Sequence, residues 1–145
     1  MHLNLRICTA ILLAVILLAA CKKNNTAGGN PVPYVSVGLN VYPGDPSNFD
    51  IQVIGGWKYL DGGLNGLVIY RKSEQEFVVL ERTSSYLPND KNAKVYVQKD
   101  NFTLRDTVSK SEWRIFDGEV TKAPATWPLR QYGATYDGNL LRISN

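Results

Sequence analysis

Residues 67–83 read Leu-Val-Ile-Tyr-Arg-Lys-Ser-Glu-Gln-Glu-Phe-Val-Val-Leu-Glu-Arg-Thr. Two runs rich in Val, Ile and aromatic residues, 67–71 and 77–82, flank the polar stretch Lys72-Ser73-Glu74-Gln75-Glu76. Short β-prone runs on either side of a polar loop predict a hairpin. Working outward, similar runs recur at 34–42, 51–60, 94–98, 112–116, 129–136 and 140–144, with turn residues between them. Asp61-Gly62, Asp117-Gly118 and Asp137-Gly138 suit turns with positive φ, and the last predicts a hairpin between 131–136 and 139–144. No helical stripe exceeds two turns, and no repeat or internal boundary interrupts the pattern. The fold class is therefore all-β and antiparallel, as a small barrel or sandwich.

The N-terminal stretch, residues 1–33, is of another kind. Arg6 precedes an almost wholly apolar run from Ile7 to Ala20, too short for a confident bilayer span. It ends in Leu18-Ala19-Ala20-Cys21, which resembles the lipobox of bacterial lipoproteins. In that family the leader is cut before the cysteine and the thiol is acylated. The resemblance implies a signal peptide at 1–20 and a lipid-bearing (palmitate-type) Cys21. Residues 22–33 (KKNNTAGGNPVP) are polar and hold glycines and prolines, so 21–33 reads as a flexible tether. The folded domain is expected at 34–145. Lys22 and Lys23 stand where some enteric lipoproteins carry an inner-membrane retention aspartate, which favours the outer membrane. The expected location is the cell envelope, on the periplasmic or surface face.

Composition excludes more chemistry than any motif suggests. The only histidine is His2, and the two cysteines are Cys8 and Cys21. A mature chain beginning at an acylated Cys21 has no imidazole and no free thiol. That removes Ser-His-Asp and Cys-His catalysis, zinc fingers and disulfides. All fifteen aromatics lie between Tyr34 and Tyr136, enough to build a core without such staples. The net charge of +3 falls by one with the leader, so neither nucleic acid nor another charged partner is implied. Gly62-Gly63-x-x-Gly66 precedes a strand and not a helix, which suits a turn or bulge better than a phosphate loop. Ser109-Lys110-Ser111 lacks the spacing of a serine–lysine nucleophile motif and reads as a turn. Asp106-Thr107-Val108 fits a short O-glycosylation pattern of some Gram-negative bacteria, although three residues match often by chance.

Several pieces of residues 56–145 together resemble a Rieske-type domain. The 67–83 hairpin is similar to the one that leads into that family's first cluster loop. Trp113-Arg114-Ile115-Phe116-Asp117-Gly118-Glu119-Val120 resembles the stretch after the second loop. Pro124-Ala125-Thr126-Trp127-Pro128-Leu129 resembles the proline-rich segment before the last hairpin. The resemblance implies small stacked antiparallel sheets with a loop tip at one end. In the family, Cys-x-His and Cys-x-x-His hold a [2Fe–2S] cluster. Placed by their neighbours, those ligands fall here on Ser84 and Tyr86, and on Asp106 and Ser109. None is a cysteine or histidine, so no cofactor and no metal are expected.

In place of a cluster, either hydroxyl-to-carboxylate hydrogen bonds between Ser84, Ser85 and Tyr86 on one loop and Asp106, Thr107 and Ser109 on the other join the tip, with Pro88 stiffening one loop, or the loops are simply mobile. The expected function is that of a lipid-anchored, non-enzymatic binding or accessory protein with an envelope protein as partner. Two alternatives come from other classes: a glycan-acting enzyme with paired carboxylates, and an electron-transfer subunit that completes its metal site with a partner. Tyr86, Trp113 and Trp127 are the aromatic candidates for a contact surface. Trp113 and Trp127 lie within the best-matched segments and are assigned to the core.

Overall fold

The computed structural model describes residues 29–145; the leader, Cys21 and most of the tether lie outside the described residues. Ten strands follow in order: β1 (Gly38–Val41), β2 (Trp57–Leu60), β3 (Leu67–Arg71), β4 (Phe77–Glu81), β5 (Val95–Val97), β6 (Thr103–Asp106), β7 (Glu112–Arg114), β8 (Val120–Lys122), β9 (Gln131–Tyr136) and β10 (Leu141–Ser144). Every strand pairing is antiparallel. One sheet has the order β1-β10-β9-β4-β3-β2, and the stretch between β4 and β9 forms a second sheet, β5-β6-β7-β8. The fold class is all-β, in the small stacked sheets that the sequence implies.

The β3–β4 hairpin is the shared wall between two cores. Its register pairs Leu67 with Glu81 through Arg71 with Phe77, around the expected polar loop. Side chains alternate across a strand, so neighbouring residues supply opposite faces. Leu67, Ile69, Phe77 and Val79 enter a core with Val41, Ile51, Tyr132, Leu141 and Ile143. Val68, Tyr70, Val78 and Leu80 enter another with Val95, Leu104, Trp113, Ile115 and Leu129. Burial on both faces is why these strands read as unbroken apolar runs.

The structure departs from the expected pattern at three places. The run at 51–60 is a strand only from Trp57; before it lies a short 3-10 helix (Pro46–Ile51). Asp45 starts that helix by accepting from Ser47 N–H at 2.9 Å, Pro46 opens it, and Ile51 ends it inside the core. Strands β6 and β8 carry no apolar run of their own and escape the sequence pattern. The end of the expected tether is docked on the domain: Val32 is 1% exposed, and Asn30 Nδ2 donates to the Pro128 carbonyl at 2.7 Å. The Arg130 guanidinium donates to the carbonyls of Asn30 and Val32.

Candidate functional site

Strand direction gathers three loops at one end of the domain. Beyond β4, Thr83 bridges Lys94 and Ser84 N–H donates to the Ala93 carbonyl at 2.9 Å, so the 84–93 loop leaves from that end. Val95 pairs with Asp106, which places the turn after β6 at the same end. Ala125 N–H donates to Ser111 Oγ at 3.0 Å and brings in a third loop, 123–130.

The third loop is the junction. The Trp127 carbonyl accepts from Ser85 Oγ at 2.6 Å and from Trp113 Nε1 at 3.0 Å. One carbonyl thus ties the first loop to the β7 core residue, using both of its lone pairs. Asp106 has no exposed surface, yet its carboxylate is satisfied. It accepts from Val108 N–H at 2.8 Å, Ser109 N–H at 3.3 Å and Ser109 Oγ at 2.5 Å. An unpaired buried carboxylate would cost several kcal/mol, so these donors are what allow Asp106 to point inward. Ser109 Oγ and Ser111 Oγ share a further hydrogen bond of 2.9 Å. On the first loop, Ser84 is buried and its Oγ accepts from Tyr86 N–H at 3.3 Å.

The four positions matched to cluster ligands are therefore split. Asp106 and Ser109 bond to each other, and Ser84 and Tyr86 bond to each other. Among the described residues no hydrogen bond joins the two pairs. The expected hydroxyl-to-carboxylate link between the loops is corrected: backbone carbonyl and amide groups of the third loop replace it, because Asp106 already has three local donors. These residues do not fit a [2Fe–2S] cluster. Its irons take thiolate and imidazole, whereas the side chains present are hydroxyls, a phenol and a carboxylate already committed to hydrogen bonds. Among the described residues no three His, Cys, Asp or Glu side chains come together.

The aromatic candidates also divide. Trp113 is fully buried, as expected, but Trp127 is 45% exposed and not a core residue. Its backbone, not its ring, faces inward, because the buried donors of Ser85 and Trp113 claim its carbonyl. Tyr86 and Val108 are exposed to the same extent at this end. Thr107, within the O-glycosylation pattern, is exposed as well. Paired carboxylates gain nothing from the geometry, since each of four described clefts has one acidic residue on its wall: Asp50, Asp90, Asp61 or Glu74.

Sequence reasoning missed a second buried carboxylate. Glu81, at the end of β4, has no exposed surface and, among the described residues, no ion pair. It accepts from Leu64 N–H (2.9 Å), Asn65 N–H (3.0 Å), Thr83 N–H (3.1 Å), Thr83 Oγ1 (2.9 Å) and Tyr132 Oη (3.0 Å). Burial, and then the charge of Glu81, push the Tyr132 phenol well above its ordinary pKa, so it stays protonated and donates. The glycines at 62–66 form the turn expected of them, and Gly63 is required there. Its φ is +62°, and a Cβ would lie 2.1 Å from Glu81 Oε2. The missed signal is a glutamate inside an apolar run, facing a glycine-rich turn with free N–H groups.

Among solved structures, the chain is similar to a chain of the complex of reduced oxygenase and oxidized ferredoxin in carbazole 1,9a-dioxygenase, with 17% identity and a TM-score of 0.46. That match covers 66% of this chain and 85% of the other. It is also similar to the ferredoxin of carbazole 1,9a-dioxygenase from Nocardioides aromaticivorans IC177, with 13% identity and a TM-score of 0.48, covering 76% of this chain and 97% of that one. No protein-family model matches the chain, and no curated protein matches it in sequence. Two antiparallel sheets with loops clustered at one end are the small-sheet arrangement that the resemblance in the sequence implies.

Proposed function

We propose that this is a lipid-anchored, non-enzymatic protein of the cell envelope whose loop end binds a protein partner. One observation carries the binding reading. Tyr86, Val108 and Trp127 stand exposed on three different loops, above a buried network that fixes all three backbones. Aromatic side chains on a rigid frame lose little conformational entropy on docking and supply most of the energy at interfaces. The Leu-Ala-Ala-Cys21 sequence and the polar stretch after it supply the anchor and the reach, toward the outer membrane.

The test is capture of the membrane-anchored protein, followed by mass spectrometry of what accompanies it. Tyr86→Ala with Trp127→Ala is expected to lose the partner while its melting temperature stays within a few degrees, because both rings are outside the core. Undiminished recovery of the partner by that variant would refute the loop end as the contact.

The electron-transfer alternative takes its motive from the ferredoxins to which the chain is similar. Within this chain the hydroxyl and carboxylate side chains at the tip speak against it, so a partner would have to bring the sulfur and imidazole ligands. Visible absorption of the purified complex separates the readings. Bands of an iron–sulfur chromophore that require this subunit would favour electron transfer.

A further inference from the structure

A cleft of about 640 Å³ opens beside the β2–β3 turn, on the flank of the fold. Its wall contains two cations that the protein does not neutralise. Arg82 is 7% exposed, and its guanidinium lies over the Tyr59 ring at 3.4 Å, with the Tyr96 ring at 5.0 Å. Its Nε donates to the Val95 carbonyl at 3.2 Å. Among the described residues its two Nη groups have no acceptor. Lys94 Nζ likewise has neither hydrogen bond nor ion pair among them, although five other ion pairs form. The two side chains converge on Gly66: a Cβ placed there would lie 3.7 Å from both Arg82 Cδ and Lys94 Nζ. A glycine with φ of +94° keeps that space open.

Glu81 and Asp61 stand near enough to favour the charged forms in part, but neither forms an ion pair with Arg82 or Lys94. Glu81 precedes Arg82 but its oxygens are taken by five donors, and Asp61 on the rim makes no ion pair. The third cation of the wall, Lys58, is turned away to the Ser47 carbonyl and Asn48 Oδ1, both at 2.8 Å. Burial lowers the pKa of Arg82, and burial together with the charge of Arg82 lowers that of Lys94. The fold thus holds two like charges together on the wall of one open cleft. Two tyrosine faces fix the plane of the guanidinium, and the free Nη edge is a preformed fork for an oxyanion.

We propose that this cleft binds a dianionic oxyanion of the phosphate class, gripped by the Arg82 Nη pair and the Lys94 ammonium. Two positive charges, one a planar fork and one a mobile point charge, match a tetrahedral dianion better than a single carboxylate. The site uses different side chains from those proposed to contact the partner at the loop end.

The experiment uses the full-length protein in neutral detergent, labelled with ¹⁵N, at constant ionic strength set with chloride. Inorganic phosphate is titrated while the Arg82 Nε–H and Gly66 amide signals are followed, and acetate is titrated in parallel. Saturable shifts of both signals are expected with phosphate, at roughly tenfold lower concentration than with acetate. Lys94→Gln is expected to weaken phosphate about tenfold, the loss of one charge-assisted contact. Asp61→Asn, which removes the rim carboxylate, is expected to tighten it about threefold. Lys72→Gln, in the β3–β4 turn at the far end of that hairpin from Arg82, leaves it unchanged. Absence of saturation by about 50 mM, roughly fifty times a dissociation constant of ~1 mM, equal affinity for acetate, or an unchanged affinity in Lys94→Gln would each overturn the proposal. Lys94 is on the surface side of the cleft, so its variant tests the site without disturbing the buried Arg82.

Discussion

Replacing Glu81 with glutamine changes one oxygen into an NH₂ group and leaves the volume alone. Five donors converge on the carboxylate: three on Oε1 (Asn65 N–H, Thr83 N–H and Thr83 Oγ1) and two on Oε2 (Leu64 N–H and Tyr132 Oη). A glutamine does best with its carbonyl at the Oε1 position. Its amide then meets Leu64 N–H, a donor that cannot turn away, and Tyr132 Oη, which can rotate to accept. One backbone N–H is left without an acceptor, at about 1–3 kcal/mol, and three charge-assisted bonds become ordinary ones. Removing the buried charge recovers part of this loss. The net expectation is about 2–3 kcal/mol, or roughly 10 °C in melting temperature for a domain of this size.

Urea and thermal unfolding at pH 7, followed by tryptophan fluorescence, measure this change. Tyr132→Phe removes a single donor and should cost about 1 kcal/mol. The double variant should be less destabilised than the sum, since both changes act on the same oxygen. A loss below about 1 kcal/mol in Glu81→Gln would mean that the five donors find water instead, and the carboxylate would not be the clasp of the 62–66 turn.

Cys21→Ala is expected to leave the precursor uncut and without lipid, whereas the wild-type protein should carry an acylated Cys21 at its N-terminus by mass spectrometry; an unmodified thiol there would refute the anchor. The melting temperature of the wild-type protein should not move with EDTA or dithiothreitol, because the tip has neither thiolate nor imidazole to give a metal; a fall with either would show an overlooked ligand set. Asp100 is held below the usual carboxylate pKa by the Thr103 hydroxyl and the Thr103 and Phe102 N–H groups, and Asp137 by the N–H groups of Leu140 and Asn139. Depressed carboxylates contribute stability that is present above about pH 4 and lost as pH falls through their folded values. Asp100→Asn should therefore flatten the acid limb of a melting curve taken from pH 7 to pH 2, and a limb parallel to that of the wild type would contradict the assignment.

The sequence by itself determined the hairpins and the class. Residues 67–71 and 77–82 announce β3 and β4 because both faces of those strands are covered, so 67–70 and 77–80 are unbroken apolar runs. Asp137-Gly138 announces the β9–β10 turn, where Gly138 has φ of +96°. Those signals are local: propensity, period and a backbone angle that only a few residues tolerate. Strand β6 was illegible because one of its two inward residues is Asp106, a carboxylate that becomes a core residue only when the turn after it supplies three donors. The tertiary structure alone decided that Trp127 turns outward, that Val32 packs against the domain, and that Glu81 rather than an apolar residue closes the 62–66 turn. It alone brought Arg82 and Lys94 to one cleft with no ion pair to either. Each of these depends on hydrogen-bond partners many residues away, and no local pattern reports which donor a buried oxygen will meet.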